Sequence, residues 1–224
     1  MVLVIVTILL ATFALPLGAQ MQLRKSAETQ RQLEAAREAL YGFAASNGRL
    51  PCPATATSAG QESPTLGGPC TTLVGLLPAA TLGIAPIDEG GFAIDAWADG
   101  SANHRIGYAV SNSEMSALTT ANGVKMVTMP TLALQTHLFV CATGLMTAPP
   151  TANCGPAVVL SKDAPAVIFS LGRLATASSP DEINNQNGDK VFSSGIANPG
   201  FDDQLVWLSL HTLFDRMVRA GRLP

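Results

Sequence analysis

Hydrophobic positions are distributed along this chain in two distinct ways. From Met1 to Ala19 no residue is charged and hardly a polar atom occurs; Gln20, Gln22, Arg24 and Lys25 end the run. A stretch of good helix formers follows with no breaker at the join. In it Leu23, Ala27, Leu33, Ala36, Leu40 and Phe43 recur at spacings of three and four, and Lys25, Glu28, Arg31, Glu34 and Arg37 occupy most of the remaining surface. The pattern predicts one helix of about 45 residues, some 65 Å long. An apolar run of about 18 residues suffices to cross a bilayer, so residues 1–19 are expected to be its transmembrane part and 20–46 its amphipathic part. Pro16 predicts a kink, and Asn47-Gly48 with Pro51 and Pro53 predicts the helix end. Two other readings of the run are a secretory signal peptide cut after Leu17-Gly18-Ala19 and a buried helix of a soluble protein. Against the signal peptide, no Lys or Arg precedes the run, Pro16 interrupts it, and the helix continues past the supposed cut.

Beyond position 47 the periodicity changes. Residues 52–86 form an irregular Thr/Ser/Gly/Pro-rich segment with one short apolar element, Leu73 to Ala80. Strands are predicted at Arg105–Val110, Val124–Met129, His137–Cys141, Ala157–Leu160, Ala166–Ser170 and Phe201–Leu208, each a short run bounded by turn residues. Ser209 is placed to cap a final helix, Leu210–Ala220, stopped by Gly221. No internal repeat or second domain boundary is visible. The expected fold is α+β: a long N-terminal helix carrying an antiparallel, strand-rich head over residues 47–224.

Composition narrows the function. The 224 residues carry a net charge of -3, with 13 Lys+Arg and 47% apolar content. The only basic cluster is Arg216, Arg219 and Arg222, which argues against a nucleic-acid surface. So few charges suit a protein that packs against lipid or against copies of itself. The four cysteines fall into two local pairs, none in CxxC spacing, and His104, His137 and His211 are scattered, so zinc is not expected. Three disulfide connectivities are open; the nearest-neighbour loops, Cys52 with Cys70 and Cys141 with Cys154, are the expected ones. An oxidising compartment would suit them.

Several segments, in order, resemble one superfamily: MVLVIVTILLATFALP ending at Pro16, ALYGFAASNGRLPCP over 39–53, Asp95-Ala-Trp97-Ala, IFSLG over 168–172 and FDDQLVWLS over 201–209. Together they resemble the type IV pilins, specifically the pseudopilin-like proteins of type II secretion. The resemblance implies a pilin-like fold and a structural subunit of a pilus-like or pseudopilus assembly, single-pass in a bacterial inner membrane with its head in the periplasm. Val2, Val4, Ile5, Ile8, Leu9, Phe13, Pro16, Leu23, Leu33 and Leu40 would form the membrane and assembly helix. Implied partners are other pilin or pseudopilin subunits, the inner-membrane assembly machinery and a prepilin peptidase. Two departures stand out. The basic leader, the Gly before the cleaved bond, the first mature Phe and the early Glu are absent, so the sequence is expected to begin at an internal methionine. Ala96 also replaces the proline of an Asp-Pro-Trp turn.

The resemblance further implies a calcium loop before the last strand. Asp181, Asn187, Asp189, Asp202 and Asp203 offer the hard oxygen ligands calcium needs, although the same composition also suits a plain polar turn. Asp95 and Trp97 are expected to fix a turn and fill core, and Trp207, alternating with Leu205, to lie against the long helix. No nucleophile–base pair, phosphate-binding glycine loop or His/Glu metalloenzyme spacing occurs, so an enzyme is not expected. The alternative to an assembly subunit is a membrane-tethered or secreted periplasmic binding module that never polymerises.

Overall fold

The structure, a computed structural model, describes the backbone of residues 2–144 and 153–223 and the side chains of residues 18–144 and 153–223. Helix α1 spans Val2–Asn47, about 69 Å at the usual rise per residue. Gly48, at φ +71°, ends it by donating its N–H to Ala44 O at 2.8 Å. Then come β1 (Val74–Leu76), α2 (Ala79–Leu82), a 3-10 turn (Ala102–His104), β2 (Gly107–Val110) and three short helical turns: α3 (Ser113–Ser116), α4 (Gly123–Met126) and α5 (Met129–Leu134). The chain closes with β3 (Leu138–Ala142), β4 (Val159–Ala164), β5 (Ala166–Ser170), α6 (Pro180–Gln186), β6 (Val191–Ser194), β7 (Gln204–Trp207) and α7 (Leu210–Arg219).

The strands form two sheets, one antiparallel in the order β1-β2-β5-β7 and a smaller one in the order β4-β3-β6. Every residue of β5 is buried, as its unbroken apolar run Ala166–Phe169 requires of a strand covered on both faces. One face, bearing Tyr108, Val110, Ile168, Val206 and Leu208, packs on α1 and α7. The other, bearing Ala109, Val167, Phe169 and Leu205, packs on Leu138, Val140 and Phe192 of the second sheet. The head is therefore three layers: helices, antiparallel sheet, small sheet.

Residues of α1 enter the first core as Leu33, Ala36, Leu40, Tyr41 and Ala44. Each buried leucine contributes about 1.5–3 kcal/mol. Polar bonds fix the helix along the same length. Thr29 Oγ1 accepts from Ala96 N at 3.2 Å, Gln204 Nε2 donates to Ser26 Oγ at 2.9 Å, and Ser209 N donates to Tyr41 Oη at 2.8 Å. The Arg222 guanidinium donates to the Ala45 and Ser46 carbonyls at the helix C-terminus, where cations are favoured.

The α+β class, the single long helix and its end at Asn47-Gly48 match the sequence reading, as do β2, β3, β5, β7 and α7 within a few residues. Both nearest-neighbour disulfides, Cys52–Cys70 and Cys141–Cys154, are formed. Other expectations need correction. Val124–Met129 is not a strand: α4 and α5 occupy that region, with Thr128 capping α5 and Pro130 in its first turn. The fourth expected strand lies at Val159–Ala164 rather than 157–160. The head is not purely antiparallel, because β3 pairs with β6 in parallel. The expected transmembrane part is not among these corrections: no helix among the described residues is long and apolar enough to cross a membrane, and the side chains of residues 1–17 lie outside them. Val2, Val4, Ile5, Ile8, Leu9, Phe13 and Pro16 lie outside the residues whose side chains are described.

Candidate functional site

Two clusters of polar side chains meet where β5 ends. The first is the turn at Asp95, which is 2% exposed. Its Oδ1 accepts from Trp97 N at 2.8 Å and its Oδ2 from Ser170 Oγ at 2.5 Å. His104 Nδ1 lies 3.6 Å from Asp95, and His104 Nε2 lies 4.0 Å from Asp99. Burial raises the Asp95 carboxyl above the ordinary value, against the bonds from Ser170 and Trp97 and the charges of His104 and Lys25. Lys25 Nζ stands 5.4 Å from the centroid of the Trp97 ring. Asp95 closes the turn expected of it, whereas Trp97, expected to fill core, is half-buried and lines a cleft beside α1.

The second cluster is acidic. Ser179 caps α6 by accepting from Glu182 N, and Glu182 Oε2 turns back to accept from Ser178 N at 2.7 Å and Ser178 Oγ at 2.9 Å. The stretch Ser179-Pro-Asp-Glu182 is thereby a variant of the capping box. Glu182 is 1% exposed, and its Oε1 has no hydrogen-bond partner among the described residues. On the opposite side Asp202 and Asp203 precede β7. One carboxylate oxygen from each of Glu182, Asp202 and Asp203 lies within 4.8 Å of the others. Gly172, at φ +63°, makes that approach possible, since a Cβ there would stand 2.3 Å from Asp202 O. Asn185 Nδ2 donates to Asp203 Oδ2 at 2.8 Å, and Asn185 Oδ1 accepts from Ser193 N at 2.7 Å.

The electrostatics follow from this placement. Burial raises the Asp202 carboxyl, and the Glu182 charge adds to that. Asp203 is pushed up to about 7, first by burial and then by Glu182 and Asp202, against the opposing bond from Asn185. Like charges drawn this close repel, and a divalent ion removes that repulsion. Hard oxygens only, with one buried oxygen unpartnered, are a donor set that fits calcium.

No protein family, characterised protein or solved structure matches this chain.

Of the five oxygen donors suggested by sequence, only Asp202 and Asp203 come together. Asp181 accepts from Gly144 N at 2.9 Å. Asn187 and Asp189 close their own loop, with Asp189 Oδ1 accepting from Val191 N at 2.7 Å. Sequence reasoning missed Glu182, which the Ser179-Pro-Asp-Glu182 signature would have placed at the third position of a helix, turned inward. Trp207, expected against α1, is half-buried and packs against the core cluster between the two sheets that holds Phe169 and Phe192. Leu33 and Leu40 are fully buried under the chain's own head, whereas Leu23 is 71% exposed. Within the described part of the long helix, then, Leu23 is the expected assembly residue left open to a neighbour.

Proposed function

We propose that this chain is a non-catalytic structural subunit of a type IV pilus-like or type II secretion pseudopilus assembly. In this reading it crosses a bacterial inner membrane once, with its head in the periplasm. The observation that carries the reading is the division of labour along α1. Residues 33–44 bury their apolar side in the head, while the uncharged run, from Val2 to Ala19, is joined to that segment without a break in the helix. A helix that extends so far past its own core supports lateral packing in a bundle of like helices.

The two disulfides support an oxidising compartment for the head. Partners under this reading are other pilin or pseudopilin subunits and the inner-membrane assembly machinery, with a prepilin peptidase if a leader precedes Met1. The Glu182, Asp202 and Asp203 cluster holds calcium in this reading and orders the start of β7. The second reading, a tethered or secreted periplasmic binding module, draws on a cleft of about 570 Å³ beside Trp97 at the base of the head.

Photo-crosslinking separates the two. With a photoreactive amino acid at Leu9, full-length protein in native membranes should give a ladder of multimers. Membrane-bound protein that crosslinks only to lipid would favour the binding module, and protein recovered wholly in the soluble fraction would remove the anchor.

A further inference from the structure

The cleft at the base of the head has an unusual rim. One wall is α1 from Ala19 to Ser26, at the end of the uncharged run; the other is the loop Ala197–Pro199 with Arg173 and Trp97. Ile196, just before that loop, is 90% exposed, and Leu23, which lines the cleft from α1, is 71% exposed. Apolar side chains this open are costly in water and gain by leaving it. Cations surround them: Arg24 and Lys25 follow Leu23, and Arg173 lines the cleft. Against these stands Asp202, 3.9 Å from Arg173, with the buried carboxylates of Glu182 and Asp203 behind it. The Trp97 indole N–H is buried behind the rim and has no hydrogen-bond partner among the described residues.

We infer that this cleft seats on the surface of an anionic bilayer. Ile196 and Leu23 enter the boundary between headgroups and acyl chains, while Arg24, Lys25 and Arg173 meet lipid phosphates. The inference rests on the membrane-anchored reading above and deepens it, because it says how the head is held once the anchor is in place. Two features select lipid over another protein as the occupant. The cleft opens directly beside the uncharged helix segment, and it combines apolar tips with cations and an amphipathic Trp, the mixture that the membrane–water interface favours. Docking of this kind would fix the tilt of α1 relative to the bilayer before assembly.

The test uses the full-length chain with Trp207→Phe, which leaves Trp97 as the only tryptophan. It is reconstituted into vesicles of phosphatidylcholine with or without phosphatidylglycerol, brominated either near the headgroup or deep in the chain. Shallow bromines should quench Trp97 more than deep ones, and more strongly when phosphatidylglycerol is present. Arg173→Ala should weaken the preference for phosphatidylglycerol roughly fivefold, and Ile196→Asp should abolish the quenching while the protein still floats with the vesicles. Flotation with Trp97 equally bright in plain and brominated lipid would overturn the inference and leave the anchor standing. Quenching that appears only when subunits are crowded, together with crosslinks across the cleft, would assign it to a second copy and likewise overturn it. A chain that fails to float with any vesicle would remove the anchored reading and the inference together.

Discussion

Asp203→Asn probes the acidic cluster most directly. Asp203 is 5% exposed, and its carboxyl is displaced from 3.8 to about 7. Between those values the folded chain holds a proton that the unfolded chain releases, so stability falls as pH rises through that window. Above pH 7 the loss is complete. A displacement of about three pH units at about 1.4 kcal/mol each sets a ceiling of about 4 kcal/mol, or roughly 10 °C in melting temperature for a chain of this length. Asparagine is neutral throughout and keeps an oxygen for the Asn185 amide. The assay is a series of thermal melts of chelator-treated full-length protein in detergent from pH 4 to 8, read as variant minus parent. That difference largely cancels the other titrating groups. The variant should be more stable at pH 8, with the gap closing toward pH 4. Millimolar calcium at neutral pH should lift the parent across the gap and leave the variant unmoved, because the ion favours the ionised carboxylates. A gap that is flat with pH, or that widens toward acid, would refute the electrostatic reasoning. Absence of any calcium shift would make the cluster a buried acid without an ion.

Four further outcomes follow from the packing. Leu33→Ala should cost about 2–5 kcal/mol in chemical denaturation, whereas Leu23→Ala, at a side chain 71% exposed, should leave head stability nearly unchanged. Glu62→Gln breaks a buried two-bond pair with Arg49, at 2.6 and 2.7 Å, that also accepts from Cys52 N, and should cost about 3–5 kcal/mol. His137 is buried with both ring nitrogens bonded, to Ser111 Oγ and Leu132 O, and burial lowers its pKa; stability should therefore fall as pH drops below the free-histidine value of 6.5, and His137→Gln should flatten that acid slope in melts. Replacing Cys141 and Cys154 together by Ser should cost about 3 kcal/mol for a loop of this length, measured by denaturation under oxidising conditions.

Sequence was most informative where one physical signal dominated. The long helix, the apolar run Ala166–Phe169 of β5 and the Ser209-capped last helix could all be read directly. Where signals competed, pattern misled. Val124, Met126, Val127 and Met129 look like a strand by composition, but Thr128 with Pro130 is a helix start, and Thr128 Oγ1 accepts from Thr131 N at 3.3 Å. The face of Trp207 was illegible for a different reason. The antiparallel sheet is buried on both sides, so no polar face marks which alternate side chains meet the helix. The parallel pairing of β6 with β3 depends on a long connection through β4, β5 and α6, the last a helix too short to show periodicity. The acidic loop disclosed its charge but not its rotation: Glu182 faces inward, while its neighbour Asp181 reaches Gly144, a difference set by helical phase.

The ties between α1 and the head have a mechanical consequence. Ser26, Thr29, Tyr41 and the carbonyls of Ala45 and Ser46 are each bonded to a different part of the head, from Gln204 and Ala96 to Ser209 and Arg222. These attachment points are spread over about 30 Å of helix. A pull along the helix axis therefore loads them in shear and together, rather than peeling them one after another. The head also cannot swivel on its stalk: a turn or thrust applied to the N-terminal half reaches β7 and the Asp95 turn without slack. Between Ser26 and Ser46 the helix and the head are thus tied into one unit, with the load shared among bonds to separate parts of the head.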